Sequence, residues 1–171
     1  MSFGTQEQLI TMVKVYKNTF KFASQITWDD VVNKMNTSCT TNIQDRPENF
    51  ITPHIRWVAK DNSVSPTFIM LGRPDTVYPA TIARAYSEIS SKTGAKRMDV
   101  YVSFSENSQT YGRHKDKMDV LITQAIGKMS YRFDDGAVHT LHPGDAIFIP
   151  AGTYHDPIVH GSRVTLSISQ E

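Results

Sequence analysis

The sequence has little of what marks several classes of protein. Its 171 residues include one cysteine, Cys39, so an internal disulfide is excluded and a reducing compartment is favoured. The formal net charge is +1, which gives no argument for binding nucleic acid or a membrane surface. No apolar run approaches the roughly 18 residues of a membrane helix. The first residues lack the basic and apolar segments of a signal peptide. We therefore expect a cytoplasmic protein.

Repeats and low-complexity tracts are also lacking, and the length suits a single domain over residues 1–171. The two halves differ in their predicted secondary structure. Residues up to about 95 are predicted to form helices and loops that pack on the second half. Residues from about 96 to 171 read as a succession of short strands.

The first half has three helix signals. Apolar residues at i, i+3, i+4 and i+7 predict a helix over Gln6–Phe20. Thr27 opens a second helix in a capping box that has Asp in place of the usual Glu. A third helix is predicted from Pro79 to about residue 91, with Gly94 as its left-handed cap. His54–Ala59 is a candidate strand.

The second half alternates apolar stretches with turn residues. Asp134, Asp135 and Gly136 give a hairpin signal between two of the stretches. Short strands at this spacing indicate a sandwich or barrel. The predicted strands are Asp99–Ser105, Asp119–Ile126, Lys128–Phe133, Ala137–Leu141, Asp145–Ile149 and Arg163–Ser169.

Three residues of this half can form a metal site. His114 and Asp116 stand two apart, so on a strand they point to the same face. His155 follows a Pro-Gly-Asp turn, an apolar strand and the turn at Gly152, which can bring it back toward the same point. Two histidines and one carboxylate on one face of an ion make the facial triad of non-haem Fe(II) oxygenases.

The segments Asp99–Ser105, Tyr111–Lys128 and Leu141–His155 together resemble the JmjC and cupin-like 2-oxoglutarate oxygenases, most of all the ribosomal-protein hydroxylase branch. The resemblance covers the barrel half only. It implies a double-stranded β-helix with Fe(II) on His114, Asp116 and His155, and 2-oxoglutarate and O2 as co-substrates. Oxidative decarboxylation of 2-oxoglutarate would then be coupled to hydroxylation of a protein side chain or a small molecule.

The resemblance leaves the partner of the distal 2-oxoglutarate carboxylate open. The hydroxylase branch has a basic residue where this sequence has Met129, which cannot pair with an anion. Lys128 is its neighbour, but one step along a strand turns a side chain to the other face unless a bulge intervenes. Arg163 opens the last strand, and Thr165 shares its face. We prefer Arg163 because a guanidinium grips a carboxylate with two parallel hydrogen bonds.

Two other readings of the same fold stay open. One is a metal cupin acting as an isomerase or as a dioxygenase without 2-oxoglutarate, and the other is a cupin that only binds a ligand. Cupins outside the oxygenases commonly offer His-x-His and a distant Glu, so Asp116 favours the oxygenase. Tyr101 and Ser103 share one strand face, where either could contact a co-substrate. Surface or loop positions are expected for His139, His142 and His160. The prime substrate and the oligomeric state stay open.

Overall fold

The computed structural model describes residues 12–39, 50–52, 55–58, 65–72 and 76–169. Two α-helices, α1 (Trp28–Cys39) and α2 (Ala80–Thr93), and a short 3-10 helix at Ala23–Gln25 accompany eleven strands. The strands are β1 (Lys14–Tyr16), β2 (Phe50–Thr52), β3 (Ile55–Val58), β4 (Thr67–Met70), β5 (Arg97–Ser103), β6 (Val120–Ile126), β7 (Met129–Phe133), β8 (Val138–Leu141), β9 (Ala146–Ile149), β10 (His155–Val159) and β11 (Arg163–Ser169).

Two antiparallel sheets form a double-stranded β-helix, as the sequence predicts. The larger sheet has the order β1-β9-β6-β11-β5-β4-β3-β2, and the smaller one has the order β10-β7-β8. Apolar residues of both sheets meet in one buried cluster, in which Ile122 and Ile147 of the larger sheet join Met129 and Leu141 of the smaller one. The sheets therefore pack face to face, and the space between them is where a site can form.

Side chains along β5 and β11 point alternately to the two faces of the larger sheet. One face packs on the helices, and the other faces the cavity. Val100, Val102, Val164 and Leu166 are fully buried against the helices. Their neighbours in sequence point to the other side of the sheet, toward the smaller sheet. On β11 these neighbours are polar, beginning with Arg163. Polar residues thus line a buried surface between the sheets.

The helices cover the outer face of the larger sheet, and each begins and ends for a local reason. Thr27 caps α1, because its Oγ1 accepts a hydrogen bond from the Asp30 backbone N–H at 3.2 Å. The Asp30 carboxylate binds the backbone N–H and the hydroxyl of Thr81 in the first turn of α2. Gly94 ends α2 with φ of 71°, the left-handed region that glycine adopts without strain.

The helix predicted over Gln6–Phe20 is wrong where the structure describes it. Residues 6–11 lie outside the described residues. Lys14–Tyr16 is strand β1, which pairs with β9 from Lys14 opposite Phe148 to Tyr16 opposite Ala146. Val13 and Val15 pack on the cluster between the sheets, and Tyr16 packs on the helix side. The side chains of β1 therefore alternate between two faces, and the strand pairs with the edge of β9. This pairing outweighs the helical spacing of the apolar residues.

The strands of the second half follow the predictions with small shifts. Arg163–Ser169 has the predicted bounds, and β7 and β8 form the predicted hairpin. The strand predicted over Asp99–Ser105 is shifted by two residues, because β5 begins at Arg97 and ends at Ser103, and Phe104 is half exposed. Strands β2, β4 and β10 were not predicted. Among the described residues, no helix is long and apolar enough to cross a membrane.

Candidate metal centre and its anion pocket

His114, Asp116 and His155 converge between the two sheets. One ligand atom from each lies within 4.8 Å of the others. The Asp116 carboxylate oxygens lie 4.0 Å from His114 Nε2 and 3.6 Å from His155 Nε2. Among the described residues this is the one such group of histidine, cysteine and carboxylate side chains.

Backbone hydrogen bonds fix this convergence. His114 and His155 form an antiparallel bridge, with N–H to O=C distances of 2.9 Å and 2.8 Å in the two directions. The Asp116 carbonyl accepts a further bond from the Gly152 N–H at 2.8 Å. Gly152 has φ of 78°, which allows the turn that brings the chain back to His155. The two motifs thus meet through main-chain pairing.

Both imidazoles are turned so that Nε2 faces the ion site. His114 Nδ1 lies 2.7 Å from the Gly112 carbonyl oxygen, and His155 Nδ1 lies 3.0 Å from that of Thr153. A carbonyl only accepts, so each Nδ1 carries the proton and each Nε2 presents a lone pair. Burial lowers the pKa of His155, and the nearby His114 adds to this. The neutral, metal-binding form is therefore favoured.

The donor set fits a divalent ion with a preference for mixed nitrogen and oxygen ligands. Bonds of about 2.1 Å at right angles put neighbouring ligand atoms about 3 Å apart. The atoms here are 3.6 Å and 4.0 Å apart. Asp116 has a partly exposed side chain, so a small rotation can close that difference. The three residues on one side leave the opposite side open toward the cavity.

A cavity of roughly 340 Å³ extends from these ligands between the sheets. Its lining combines apolar and polar side chains. The lining residues are Thr67, Tyr101, Thr110, Tyr111, His114, Asp116, Val120, Ile122, Met129, Tyr131, His155, Pro157, Arg163, Thr165 and Ser167. This volume suits a small organic ligand beside the ion.

Arg163 stands in this cavity as a buried cation. Arg163 is only 3% exposed. Its Nε donates to Ser103 Oγ at 2.9 Å, and its guanidinium lies 5.7 Å from the centre of the Tyr101 ring. No carboxylate of the described residues lies within ion-pair distance, and the terminal nitrogens make no hydrogen bond to those residues. Burial lowers the Arg163 pKa, yet a guanidinium keeps its charge in proteins.

Two phenols accompany this cation. Tyr101 and Tyr131 both line the cavity, and each interacts electrostatically with Arg163. Burial raises the pKa of both, that of Tyr131 to about 12, so both stay protonated at neutral pH. Neither hydroxyl is hydrogen-bonded to a described residue. Two O–H donors and a guanidinium therefore face the same space.

The other candidates for anion binding are placed differently. Lys128 is exposed and does not line the cavity, whereas Met129 does. The bulge needed to turn Lys128 inward is absent at that point: the register slip between β6 and β11 falls at Ala125. Thr165 lines the cavity beside Arg163, and its hydroxyl donates to Gln124 Oε1 at 2.8 Å.

The residues that line the cavity differ in part from those that the sequence patterns indicate. His139, His142 and His160 do not line the cavity. Thr67 and Tyr131 were not singled out, although both line it. The alternation of β7 could have indicated Tyr131, which lies two residues after Met129 and so shares its face. No comparable signal marks Thr67, since β4 was not recognised.

A scan against models of protein families finds no match for this chain, and a search of curated proteins also finds none. Solved structures do match. The Escherichia coli ribosomal oxygenase YcfD in complex with cobalt and succinic acid aligns with a TM-score of 0.64 at 16% identity, over 92% of this chain and 47% of that chain.

Two further structures of the same bacterial protein agree. YcfD in complex with cobalt and 2-oxoglutarate aligns with a TM-score of 0.62 at 16% identity, and another structure of YcfD aligns with a TM-score of 0.61 at 18% identity. Each covers 92% of this chain and 47% of YcfD. This chain therefore spans about half the length of YcfD, and at this identity the likeness shows a shared fold.

Proposed function

We propose that this protein is an Fe(II)- and 2-oxoglutarate-dependent oxygenase that hydroxylates a protein side chain or a small molecule. The observation that carries the proposal is the joint placement of a His-Asp-His triad and a buried, uncompensated arginine in one cavity. The triad alone would also suit a metal-binding cupin of another class, whereas the buried arginine adds a partner for a second, anionic group of the ligand. The fold shared with YcfD, whose structures hold cobalt with 2-oxoglutarate or succinic acid, supports the same proposal.

Each wall of the cavity has a part in this function. When bound, the iron supplies the redox chemistry with O2. His114, Asp116 and His155 hold it and leave the cavity side open for a chelating 2-oxo acid. Arg163 binds the distal carboxylate. Tyr101 and Tyr131, as protonated phenols, donate hydrogen bonds to the same anion.

The apolar wall supports the chemistry by excluding water. Val120, Ile122 and Met129 are the aliphatic and thioether side chains that line the cavity. A dry wall strengthens the electrostatic interaction between Arg163 and a carboxylate. It also protects a reactive species from side reactions with solvent.

An anaerobic titration tests the proposal. Fe(II) is added to the protein with and without 2-oxoglutarate, and the visible absorption of a metal-to-ligand charge-transfer band is recorded. The band is expected only when both are present. Admission of air should then convert 2-oxoglutarate to succinate and CO2. Iron binding without the band, and without succinate in air, would identify a metal cupin that does not use 2-oxoglutarate and would overturn the proposal.

The substrate is sought with the same preparation. Uncoupled turnover of 2-oxoglutarate gives a background rate of succinate formation. Candidate proteins or metabolites that are substrates should raise this rate and gain one oxygen atom, which mass spectrometry detects as hydroxylation. Stimulation without oxygen transfer would mark a ligand that binds but is not the substrate.

A further inference from the structure

A row of three polar residues crosses the larger sheet beneath the cavity. Arg163 on β11 pairs directly with Ser103 on β5. Phe68 on β4 pairs with Val102, so Thr67 comes opposite Ser103. Side chains at directly opposed positions of neighbouring strands share a face and lie in contact. Thr67, Ser103 and Arg163 therefore form one row on the cavity side of three adjacent strands.

Hydrogen bonds link the row from end to end. Arg163 Nε lies 2.9 Å from Ser103 Oγ, and Ser103 Oγ lies 2.8 Å from Thr67 Oγ1. The exposed fractions are 3% for Arg163, 0% for Ser103 and 1% for Thr67. A buried hydroxyl needs a partner for its own proton, because burial without one costs free energy.

The arginine sets the direction of these bonds. A guanidinium only donates, so Ser103 Oγ must accept the Nε–H bond. Among the described residues, the one acceptor within reach of the Ser103 proton is Thr67 Oγ1. Ser103 therefore donates to Thr67. The Thr67 proton has no acceptor among those residues, and Thr67 lines the cavity.

We propose that Thr67 is a specificity-determining residue that donates a hydrogen bond to the distal carboxylate of the co-substrate, and that Ser103 is a positioning residue that orients both Thr67 and Arg163. The inference rests on the proposed function, since it assigns residues to that co-substrate. The inference predicts an effect only on ligands that have a distal carboxylate. Ligands that chelate the metal but lack a distal carboxylate gain nothing from Thr67.

Binding of two 2-oxo acids tests this inference. Dissociation constants are measured on the anaerobic Fe(II) protein for 2-oxoglutarate and for 2-oxobutyrate, which has the same chelating group and no distal carboxylate. Thr67→Val removes the hydroxyl with little change of shape. It should weaken 2-oxoglutarate about tenfold, the usual effect of losing a hydrogen bond to a charged group, and leave 2-oxobutyrate unchanged. Thr67→Ser, which keeps the hydroxyl, should restore binding.

The chain offers a matched control. Thr123 is also fully buried on the same sheet, its Oγ1 has no hydrogen-bond partner among the described residues, and it does not line the cavity. Thr123→Val should leave both dissociation constants as in the unaltered protein. Ser103→Ala is a second variant, independent of how well Thr67→Val folds. It should weaken 2-oxoglutarate by a similar factor and 2-oxobutyrate not at all.

The outcomes separate this inference from the proposed function. If the unaltered protein binds no 2-oxoglutarate, the proposed function fails and the inference falls with it. If it binds 2-oxoglutarate, but Thr67→Val and Ser103→Ala bind it as well as Thr123→Val does, only the inference is overturned. Equal weakening of both 2-oxo acids also overturns it, because the effect then acts through the metal site or the fold.

Discussion

Two arginines differ in a way that bears on function. Arg113 precedes the candidate metal ligand His114 and is here the rim arginine, and Arg163 lines the cavity and is here the floor arginine. Arg113 at the rim is more than half exposed, yet it makes two hydrogen bonds with Asp134, at 2.8 Å and 2.6 Å, and lies 3.9 Å from the Tyr154 ring centre. Arg163 at the floor is buried and has no carboxylate partner among the described residues. Pairing matters little in water and much in a buried site.

This difference supports the proposed function, in which an anionic ligand pairs with Arg163, because no carboxylate of the described residues does so. An exposed arginine needs no partner, because water solvates it. A buried arginine without a counter-ion is costly, because its charge has been removed from water. Four experiments test this difference between the two arginines.

The largest effect is expected from the metal ligands at the rim end of the cavity. His114→Ala leaves two ligands of three and should reduce the affinity for Fe(II) by more than about 100-fold, since even outer partners of metal ligands change affinity 10- to 100-fold. Metal content after dialysis against Fe(II) or Mn(II) is the measurement. His142→Ala removes an exposed imidazole outside the cavity and should keep the metal. Unchanged metal content in His114→Ala would remove His114 from the site.

The next effect concerns the floor arginine and 2-oxoglutarate. Arg163→Met keeps most of the volume and removes the charge. It should weaken 2-oxoglutarate about 100-fold, as loss of a two-pronged, charge-assisted contact does, with Fe(II) affinity unchanged. The charge-transfer band gives the dissociation constant. Lys128→Ala is the matched control and should bind normally, because Lys128 is exposed and outside the cavity. The reverse result would assign the anion to Lys128.

A smaller effect of opposite sign is expected on stability. Without ligand, Arg163→Met removes an uncompensated buried charge, so the free energy of unfolding should rise by about 1 kcal/mol. Urea unfolding of the ligand-free protein measures it. A decrease of more than about 2 kcal/mol would mean that Arg163 serves to hold the sheet together, and the contrast with the rim would lose its functional meaning.

The smallest effect is expected at the rim arginine. Arg113→Gln breaks its contact with Asp134, where both side chains are more than half exposed. Exposed pairs contribute little, so the melting temperature should stay within roughly 2 °C of the unaltered value. Binding of Fe(II) and of 2-oxoglutarate should also be unchanged. A clear loss of 2-oxoglutarate binding would show that the rim takes part in holding the anion.

The sequence predicts the rim better than the floor, for a physical reason. His114 and Asp116 are two residues apart and His155 follows a recognisable turn, so local spacing reveals them. The floor row joins Thr67, Ser103 and Arg163 across three strands. Its residues come together only through sheet register, which local patterns do not specify. Arg163 was found by its place at the start of the last strand, and Thr67 was missed.

The missed strands have separate causes. β10 contains Pro157, and a proline within a run argues against a strand. Here β10 is an edge of the smaller sheet, where a missing N–H is tolerated. β1 was predicted as helix, because Met12, Val13 and Tyr16 also fit a helical period. Only the free edge of β9 decides between the two, and that edge is a property of the finished sheet.

The unpaired charge of Arg163 also bears on how long the protein lasts in a cell. Under the proposed function, 2-oxoglutarate binds the folded chain only, so it stabilises that chain by an amount that grows with its concentration relative to the dissociation constant. The ligand-free form retains the unfavourable buried charge, so it unfolds more often than the ligand-bound form. Proteolytic turnover should then be faster when the metabolite is scarce. The abundance of this protein would thus follow the supply of its own co-substrate.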